Sequence, residues 1–312
     1  MSDEFSRIER YFAPLAGAEG LGLKDDAALF RPPVGRELIL TVDQMNEGVH
    51  FLPNDAPDLV ARKLLRRNLS DLAAMGAEPL GYLLTTALPK SVSEDWLRLF
   101  AEGLRADQEE FGIKLFGGDS SSSLTQISLT ATLIGHVAPG AALRRGGASP
   151  GDEIWVTGTI GDAALGLRAR RGELQNVPAF LIERSLLPTP RLNLELANVA
   201  SATIDISDGL VQDLGHICKA SGVDAVLYSH LVPASPEAAS FGDTMLEARL
   251  TDGDDYELLV TVPPEKTGAL IAACGTLQIT KIGKLERGTG KVEVWDRAGK
   301  TLQFSRPGWS HF

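Results

Sequence analysis

Aspartates recur in this sequence at positions from which several of them together are able to bind a ligand. They follow apolar, strand-like runs, lie in turns of small residues, or interrupt an apolar helix. In α/β folds ligands collect at the carboxyl ends of strands, so we expect these side chains to converge. The set comprises Asp25, Asp26, Asp43, Asp71, Asp119, Asp205 and Asp208.

Convergence of these carboxylates is costly without a cation, and several together need either protons or a metal ion. Two carboxylates about 5 Å apart repel each other by roughly 3 kcal/mol at an effective dielectric constant of 20. Oxygen ligands without thiolates or clustered histidines suit Mg²⁺ or Mn²⁺ rather than zinc. Mg²⁺ also tends to share its coordination shell with substrate phosphates. The aspartates therefore predict a site that binds a metal ion together with phosphate.

Each aspartate taken singly also has a structural interpretation. An Asp after a strand is commonly a turn former or a helix N-cap, and Asp208 before Gly209 and Asp162 after Gly161 fit that role. Asp71 fits it less well, because an unpaired acid on the apolar side of a helix is poorly tolerated. The set as a whole favours metal binding.

Two glycine-containing turns are candidates for phosphate contacts. In the first, at 117–120, backbone amides can approach an oxyanion closely, and four successive serines begin at Ser120. The second, at 158–162, joins a strand to a helix whose N-terminus is able to accept phosphate, although Asp162 is equally able to cap that helix. A Walker A loop, a dinucleotide fingerprint and the protein-kinase motifs are absent, so any nucleotide site is of another kind. Nucleophilic catalysis has little support, since no Gly-x-Ser-x-Gly elbow occurs and the five histidines are dispersed.

The elements that must position these residues alternate between strands and helices. Apolar runs and β-branched enrichment predict strands over 37–42, 113–116, 126–137, 153–156, 202–206, 256–262 and 278–282. Helical spacing and capping residues predict helices over 58–75, from Ser93 as N-cap towards Gly112, over 162–171 and over 209–220. A break rich in Gly, Ala and Pro follows the strand at 126–137. We therefore expect a mixed α/β fold of two domains, 1–147 and 148–312.

The composition excludes several functional classes. The chain has 312 residues and a net charge of −11, from 41 acids and 30 bases, which disfavours nucleic acid as a partner. Its two cysteines have no metal-ligand spacing, so a disulfide framework and a zinc site are not expected. The first fifteen residues lack the apolar core of a signal peptide, and no apolar run approaches the ~20 residues of a membrane helix. We expect a cytoplasmic protein without a membrane partner.

Nine short motifs occur in an order that is typical of one family. They are Asp-Asp-Ala-Ala (25–28), Thr-Val-Asp (41–43), Gly-Val-His-Phe (48–51), Asn-Leu-Ser-Asp-Leu-Ala-Ala-Met-Gly-Ala-Glu-Pro (68–79), Gly-Gly-Asp (117–119), Arg-Arg-Gly-Gly-Ala (144–148), Gly-Asp-x-Ile-Trp-Val-Thr-Gly (151–158), Ile-Asp-Ile-Ser-Asp-Gly-Leu (204–210) and Asp-Tyr-Glu-Leu (255–258). The series resembles the thiamine-monophosphate kinase family, within the aminoimidazole ribonucleotide synthetase superfamily, over nearly the whole chain.

The resemblance implies an activity, a fold and a set of site residues. The activity is transfer of the terminal phosphoryl group of ATP to thiamine monophosphate, which gives thiamine diphosphate and ADP. The fold is a mixed-sheet N-terminal domain that forms a homodimer and binds ATP and several Mg²⁺ ions, followed by a C-terminal α/β domain. By motif position the metal ligands are Asp26, Thr41, Val42 through its carbonyl, Asp43, Asp71, Asp119, Asp205 and Asp208. The implied ATP contacts are Gly118, Asp119, Arg145 and Ser207, and the implied thiamine-phosphate contacts are His50, Asp254 and Trp309.

Three positions depart from the family pattern. Lys24 stands where the family has Gly before the Asp-Asp pair, Asp254 where it commonly has Glu, and Ser120 where Thr is frequent. Asp254 is one methylene shorter, so its contact with the substrate is the implied role that this departure affects most.

Two other functions remain open from the sequence. One is a sister enzyme that makes aminoimidazole ribonucleotide or selenophosphate. Selenophosphate synthetases carry a reactive Cys or selenocysteine near the N-terminus, whereas the first cysteine here is Cys218. The other is a non-catalytic nucleotide- or metal-binding protein, which would have no need of all the ligand acids.

Overall fold

The computed structural model describes residues 4–310, which divide into two compact units. The first unit runs up to residue 72 and from 77 to 140. The second contains residues 73–76, the end of one helix, and everything from 141 onward. The sequence placed the domain boundary at 147. An irregular stretch at 138–152 covers both positions.

The first unit combines a four-stranded sheet with two long helices. Its strands follow the order β1-β4-β2-β3, in which only β2 and β3 are parallel. Three short turns of π- and 3₁₀-helix, Ile8–Phe12, Ala13–Leu15 and Ala18–Leu23, precede the sheet. The elements are α1 (Glu4–Arg7), β1 (Glu37–Asn46), α2 (Pro57–Ala74), β2 (Glu78–Pro89), α3 (Glu94–Phe111), β3 (Lys114–Ser123) and β4 (Ser128–Val137).

The sheet of the first unit has one buried and one open face. Along β4, Leu129, Ala131 and Leu133 are buried, while the threonines between them are half-buried. The alternation follows from the two-residue period of a strand. On the open face β1 exposes Leu40 and Val42, which are 64% and 60% accessible.

Local chemistry sets the ends of the two long helices. The Ser93 hydroxyl accepts a hydrogen bond from the Trp96 backbone N–H at 3.1 Å, which caps α3 as the sequence predicts. Gly112, in the left-handed conformation, ends the same helix. After α2, Gly76 has φ 68° and closes the helix in the same way.

The second unit is built on a seven-stranded sheet of order β11-β10-β7-β9-β5-β8-β6. Central strands β5 and β8 read as nearly continuous apolar runs because buried clusters cover both of their faces. Ile154 and Val156 pack into one cluster, and Trp155 between them packs into the other. The strands are β5 (Glu153–Thr157), β6 (Ala202–Asp205), β7 (Val223–Tyr228), β8 (Leu258–Val262), β9 (Ile279–Arg287), β10 (Val292–Trp295) and β11 (Thr301–Leu302), and the helices are α4 (Asp162–Arg170), α5 (Ala179–Leu186), α6 (Leu210–Ser221), α7 (Pro236–Ala239), α8 (Leu246–Thr251) and α9 (Thr267–Cys274).

The mixed α/β class with two domains is confirmed, and three details are corrected. The turn expected at 117–120 is part of β3, where Gly117 to Ser120 pair with β2. Asp43 lies within β1 rather than after it. The strand β2, in the middle of the first sheet, was not predicted. Between residues 4 and 310, no helix is long and apolar enough to span a membrane.

Candidate functional site

A cavity of about 650 Å³ opens beside β3 in the first unit. This volume lies in the range of small-molecule pockets. Its lining includes Asp25 and Asp26, Thr85 on β2, and Gly118 and Asp119 on β3. Three of the predicted acids therefore converge around one cavity, in agreement with the expectation from the sequence.

Close backbone contact at Gly118 shapes the wall of this cavity. A Cβ atom built on Gly118 would lie 1.8 Å from the Leu84 carbonyl oxygen of the neighbouring strand. No other residue type fits there without movement of the backbone. The glycine that the sequence assigned to a turn is thus required by the approach of two paired strands.

The acids at 25 and 26 reach the cavity from an irregular segment. Leu21 and Leu23 have φ values of 50° and 55°, in the left-handed region. A backbone hydrogen bond of 2.8 Å from the Leu29 N–H to the Glu19 carbonyl closes the loop. Phe30 then packs on Phe116 of β3, with ring centroids 5.3 Å apart. These contacts hold the exposed Asp25–Asp26 pair beside the sheet.

A second group joins β1 to α2. The Thr41 hydroxyl donates a hydrogen bond of 2.6 Å to Asp71, and the Arg67 guanidinium lies 3.7 Å from the Asp43 carboxylate. The half-buried Asp71 on α2 therefore has a hydroxyl partner. This hydrogen bond offsets the free-energy cost of an acid that would otherwise be unpaired on the apolar side of a helix. None of Thr41, Asp43 and Asp71 lines the cavity.

Asp43 and Asp119 do not converge within one chain. They lie on β1 and β3, the two edges of the sheet, which are separated by about 14 Å at the usual strand spacing. The strand register places Asp43 opposite Ala131 and Asp119 opposite Thr85. Ala131 and Thr85 lie on opposite faces of the sheet, so the side chains of Asp43 and Asp119 point to opposite faces as well. The convergence expected for the whole set is met only in part.

In the second unit the loop 206–209 carries two of the predicted residues. Asp205 ends β6 and is buried, while Ser207 and Asp208 are half-buried. One carboxylate oxygen of Asp213 accepts the backbone N–H groups of Ser207, Asp208 and Gly209 at 3.0–3.1 Å. Burial, and to a lesser extent the charge of Asp208, raises the pKa of Asp213 to about 7.

Both predicted substrate residues of the second unit contact this loop. The Asp254 N–H donates to the Ser207 carbonyl at 2.9 Å, and the Trp309 N–H donates to the Asp208 carbonyl at 2.8 Å. Asp254 has φ 68°, a strained value for a residue with a side chain. The structure therefore brings together four of the predicted site residues. The carbonyls of Ser207 and Asp208, which are neighbours in the chain, accept the backbone hydrogen bonds from Asp254 and Trp309.

Two further predicted residues, Arg145 and His50, make contacts of their own. Arg145 is exposed, and its carbonyl accepts a hydrogen bond of 3.2 Å from Ser221. Burial and then the positive charge of Arg145 lower the pKa of His216 on α6, so the guanidinium lies within electrostatic reach of that helix. In the first unit, His50 follows β1 in a turn, where its Nδ1 accepts the Asn46 N–H at 3.0 Å.

The phosphate role considered for the turn at 158–162 has no support. The carboxylate of buried Asp255 accepts the Gly161 N–H at 2.9 and 3.0 Å, so the chain itself occupies the helix N-terminus. Asp162 does not cap α4, because its carboxylate accepts hydrogen bonds from Thr159 and Ser235. Burial raises the pKa of Asp255 well above its ordinary value.

The Asp-Tyr-Glu-Leu motif also supplies a buried ion cluster. Glu257 is fully buried and accepts hydrogen bonds from the Thr157 hydroxyl at 2.7 Å, from Arg184 at 3.0 Å and from Arg191 at 2.6 Å. Sequence reasoning missed the roles of Asp213 and Glu257. The available signal was a charged residue directly before apolar ones, Asp213 before Leu214 and Glu257 before Leu258.

The donor set suits Mg²⁺ in kind. The predicted ligands offer carboxylate, hydroxyl and carbonyl oxygens, which are hard donors. Within the described residues no group of three or more His, Cys, Asp or Glu side chains is arranged to hold a metal ion. Mg²⁺ does not require such a cage, because it typically binds through one or two carboxylates and completes its shell with water and substrate phosphates.

Comparison with known proteins finds matches over both units. The model for the N-terminal domain of AIR synthase related proteins matches residues 24–137, and the model for the C-terminal domain of the same proteins matches residues 149–296. Thiamine-monophosphate kinase from Caulobacter vibrioides is 39% identical, over 99% of this chain and 90% of its own length.

Solved structures show the same fold. The crystal structure of thiamine-monophosphate kinase from Stenotrophomonas maltophilia K279a has a TM-score of 0.82 at 38% identity, and covers 96% of this chain and 95% of its own. AaThiL complexed with AMPPCP and TMP has a TM-score of 0.79 at 34% identity, covering 92% of this chain and 91% of its own. These matches show that the chain belongs to the thiamine-monophosphate kinase family, within the AIR synthase related proteins.

Proposed function

We propose that this protein transfers the terminal phosphoryl group of ATP to thiamine monophosphate, which yields thiamine diphosphate and ADP in thiamine diphosphate biosynthesis. The observation that carries the proposal is the cavity of about 650 Å³ walled by Gly117, Gly118 and three aspartates. Its size suits a nucleotide, its exposed backbone suits phosphate and its acids suit phosphate-bound Mg²⁺. Relatives with this fold are thiamine-monophosphate kinases, and one is complexed with AMPPCP and TMP.

The proposed ATP contacts are Gly118, Asp119, Arg145 and Ser207. Gly118 has no side chain to keep a phosphate away from the backbone of β3. Arg145 is exposed and carries a charge that is able to pair with phosphate oxygens. Ser207 offers a hydroxyl from a loop whose backbone is held by Asp213.

The proposed Mg²⁺ ligands supply carboxylate, hydroxyl and carbonyl oxygen atoms. When bound, Mg²⁺ neutralises the charge on the phosphates of ATP and thiamine monophosphate. Asp71 is oriented by Thr41, and Asp208 by the backbone contacts of its loop. The full proposed set is Asp26, Thr41, Val42 through its carbonyl, Asp43, Asp71, Asp119, Asp205 and Asp208.

The proposed thiamine-phosphate contacts are His50, Asp254 and Trp309. The half-buried Trp309 presents a ring on which a heteroaromatic base is able to stack. The acceptor phosphate oxygen is already anionic, so the protein requires no nucleophile of its own. Its residues have to hold two polyanions in line and exclude unproductive arrangements.

A homodimer formed through the first unit belongs to the same proposal. The open face of the sheet exposes two apolar side chains of β1, Leu40 and Val42, at 64% and 60%. Apolar groups on an open sheet face favour burial against a partner. The cytoplasmic location stays a prediction from the sequence.

The test is to incubate the purified protein with ATP, Mg²⁺ and thiamine monophosphate and to quantify thiamine diphosphate and ADP. We expect equal amounts of the two products, and none after EDTA treatment. ADP formed only with aminoimidazole ribonucleotide precursors or selenide as acceptor would identify a sister enzyme instead. ATP binding without phosphorylation of any acceptor would indicate a non-catalytic nucleotide-binding protein.

A further inference from the structure

The C-terminal segment of the second unit is docked on the loop that carries Asp208. Ser305 donates its backbone N–H to Glu247 of α8 at 2.7 Å, and Arg306 pairs with Asp252 at 2.9 Å. At the end of the segment, the Trp309 N–H bonds the Asp208 carbonyl. The aromatic ring is therefore placed by contacts made along the whole segment.

Gln212, on the first turn of α6, bridges the two ends of this arrangement. Its side-chain amide donates to the Trp309 carbonyl at 2.8 Å and lies 3.3 Å from the Asp208 carboxylate. The residue is half-buried and stands directly before Asp213, which holds the backbone of the same loop. One amide group thus contacts both the loop and the segment.

Gly308 shows how closely the segment approaches α6. A Cβ atom on Gly308 would lie 2.5 Å from the Cβ of Gln212 and 2.8 Å from the Asp208 carbonyl oxygen. Contacts under 3.0 Å to the base of a side chain and to backbone require one of the two partners to move. The glycine is therefore needed for Trp309 to reach the loop.

We propose that Gln212 is a positioning residue that holds the ring of Trp309 in register with the Ser207–Gly209 loop, and so determines the affinity for the thiamine end of the substrate. This inference rests on the function proposed above for Trp309 and Asp208. In this role Gln212 acts through the backbone of Trp309 and the carboxylate of Asp208.

The test compares Gln212→Met with Gln303→Met in the full-length protein. Methionine has nearly the shape of glutamine but donates no amide hydrogen bond. Gln303 is exposed in the same C-terminal segment, so the same chemical change there serves as the matched control. Gly308→Ala is the second variant, because it displaces the segment by steric contact rather than by loss of a donor.

Two measurements distinguish a positioning role from a general loss of stability. In hydrogen exchange without ligands, we expect the C-terminal peptide to exchange faster in Gln212→Met and Gly308→Ala, and the peptides of α6 to stay protected. In steady-state kinetics, we expect the KM for thiamine monophosphate to rise by about 3- to 10-fold, the factor that corresponds to one neutral hydrogen bond. The KM for ATP should rise by less than the KM for thiamine monophosphate, because the substitution removes the amide contact to Trp309 while the backbone contacts of the Asp208 loop remain.

The outcomes separate this inference from the proposed function. Wild-type exchange in both variants, or faster exchange with an unchanged KM for thiamine monophosphate, would overturn the role of Gln212. Equal increases in the KM of both substrates would do the same, because they indicate a general perturbation. If the wild-type protein forms no thiamine diphosphate, the proposed function fails, whereas the exchange data still decide whether Gln212 docks the segment.

Discussion

Gly118→Ala is the substitution for which the structure makes the sharpest prediction. Gly117 and Gly118 are neighbours on β3 and both line the cavity of the first unit. A methyl group on Gly117 would meet Leu83 at 3.5 Å, an ordinary contact, whereas one on Gly118 would lie 1.8 Å from the Leu84 carbonyl oxygen. Identical substitutions at adjacent positions should therefore have different consequences.

The size of the effect follows from the missing space. An ordinary contact between a methyl carbon and a carbonyl oxygen is about 3.3 Å, so Gly118→Ala requires β2 and β3 to separate by more than about 1 Å. Overpacking of this kind costs about 1–3 kcal/mol of folding free energy. For a chain region of this size each kcal/mol corresponds to roughly 2–4 °C in Tm. Gly117→Ala should be neutral, or stabilising by about 0.5–1 kcal/mol, because alanine loses less backbone entropy on folding.

The assay is thermal unfolding followed by calorimetry, together with the KM for ATP. We expect Gly118→Ala to lower the Tm by several degrees and to raise the KM for ATP, since the displaced strand forms the wall of the proposed nucleotide site. Equal Tm values for the two alanine variants would refute the steric reasoning. A lowered Tm with an unchanged KM for ATP would refute the contact of ATP with β3.

Three further predictions concern carboxylates, of which Asp71 is half-buried and Glu257 and Asp255 are buried. Asp71→Asn should abolish thiamine diphosphate formation and leave the circular dichroism spectrum unchanged, because it removes charge but little volume. Glu257→Gln should lower the free energy of unfolding by about 3–5 kcal/mol in denaturant titrations, because it leaves the charges of Arg184 and Arg191 without their buried partner. Burial raises the pKa of Asp255 in the folded state, so the wild type loses stability as pH rises above about 4, the ordinary pKa of Asp at which the unfolded chain ionises. Asp255→Asn has no such group and should therefore gain stability relative to the wild type over the same pH range.

Each of these predictions has a control and a contrary result. For Asp71→Asn the control is exposed Asp95→Asn, and wild-type turnover of the variant would exclude a metal role. For Glu257→Gln the control is Glu286→Gln, which breaks an exposed pair with Lys284 and should cost less than about 1 kcal/mol. For Asp255→Asn, a stability difference from wild type that is the same at pH 5 and pH 8 would contradict the raised pKa.

Elements with local signals were predictable from the sequence. The helix α3 was found at both ends, because the Ser93 cap and the left-handed Gly112 act within one turn of the chain. The apolar strands β5 and β8 were found because burial on both sides leaves an apolar run in the sequence. The strand β2 was missed, since Pro79 and Gly81 near its start are local signals for a turn.

Gly117 to Ser120 illustrate why local composition misleads. Glycines followed by Asp and Ser predict a turn by any local rule. In the structure these residues pair with β2, and the Gly118 position is decided by the carbonyl of Leu84 on that neighbouring strand. Pairing with a distant strand outweighs the local preference, because β propensity depends mainly on neighbours across the sheet.

The sequence by itself determined the family-typical order of motifs, the mixed α/β class and the types of donor atom that the candidate residues offer, because residue types carry charge, donor character and periodicity wherever they lie. Tertiary structure alone decided which residues meet. Asp25 and Asp26 reach Asp119 around one cavity, while Asp43 points to the opposite face of the sheet from Asp119. Asp255 takes the Gly161 N–H across 94 residues of chain. Such contacts depend on strand order and register, which arise from packing over the whole domain and have no local signal in the sequence.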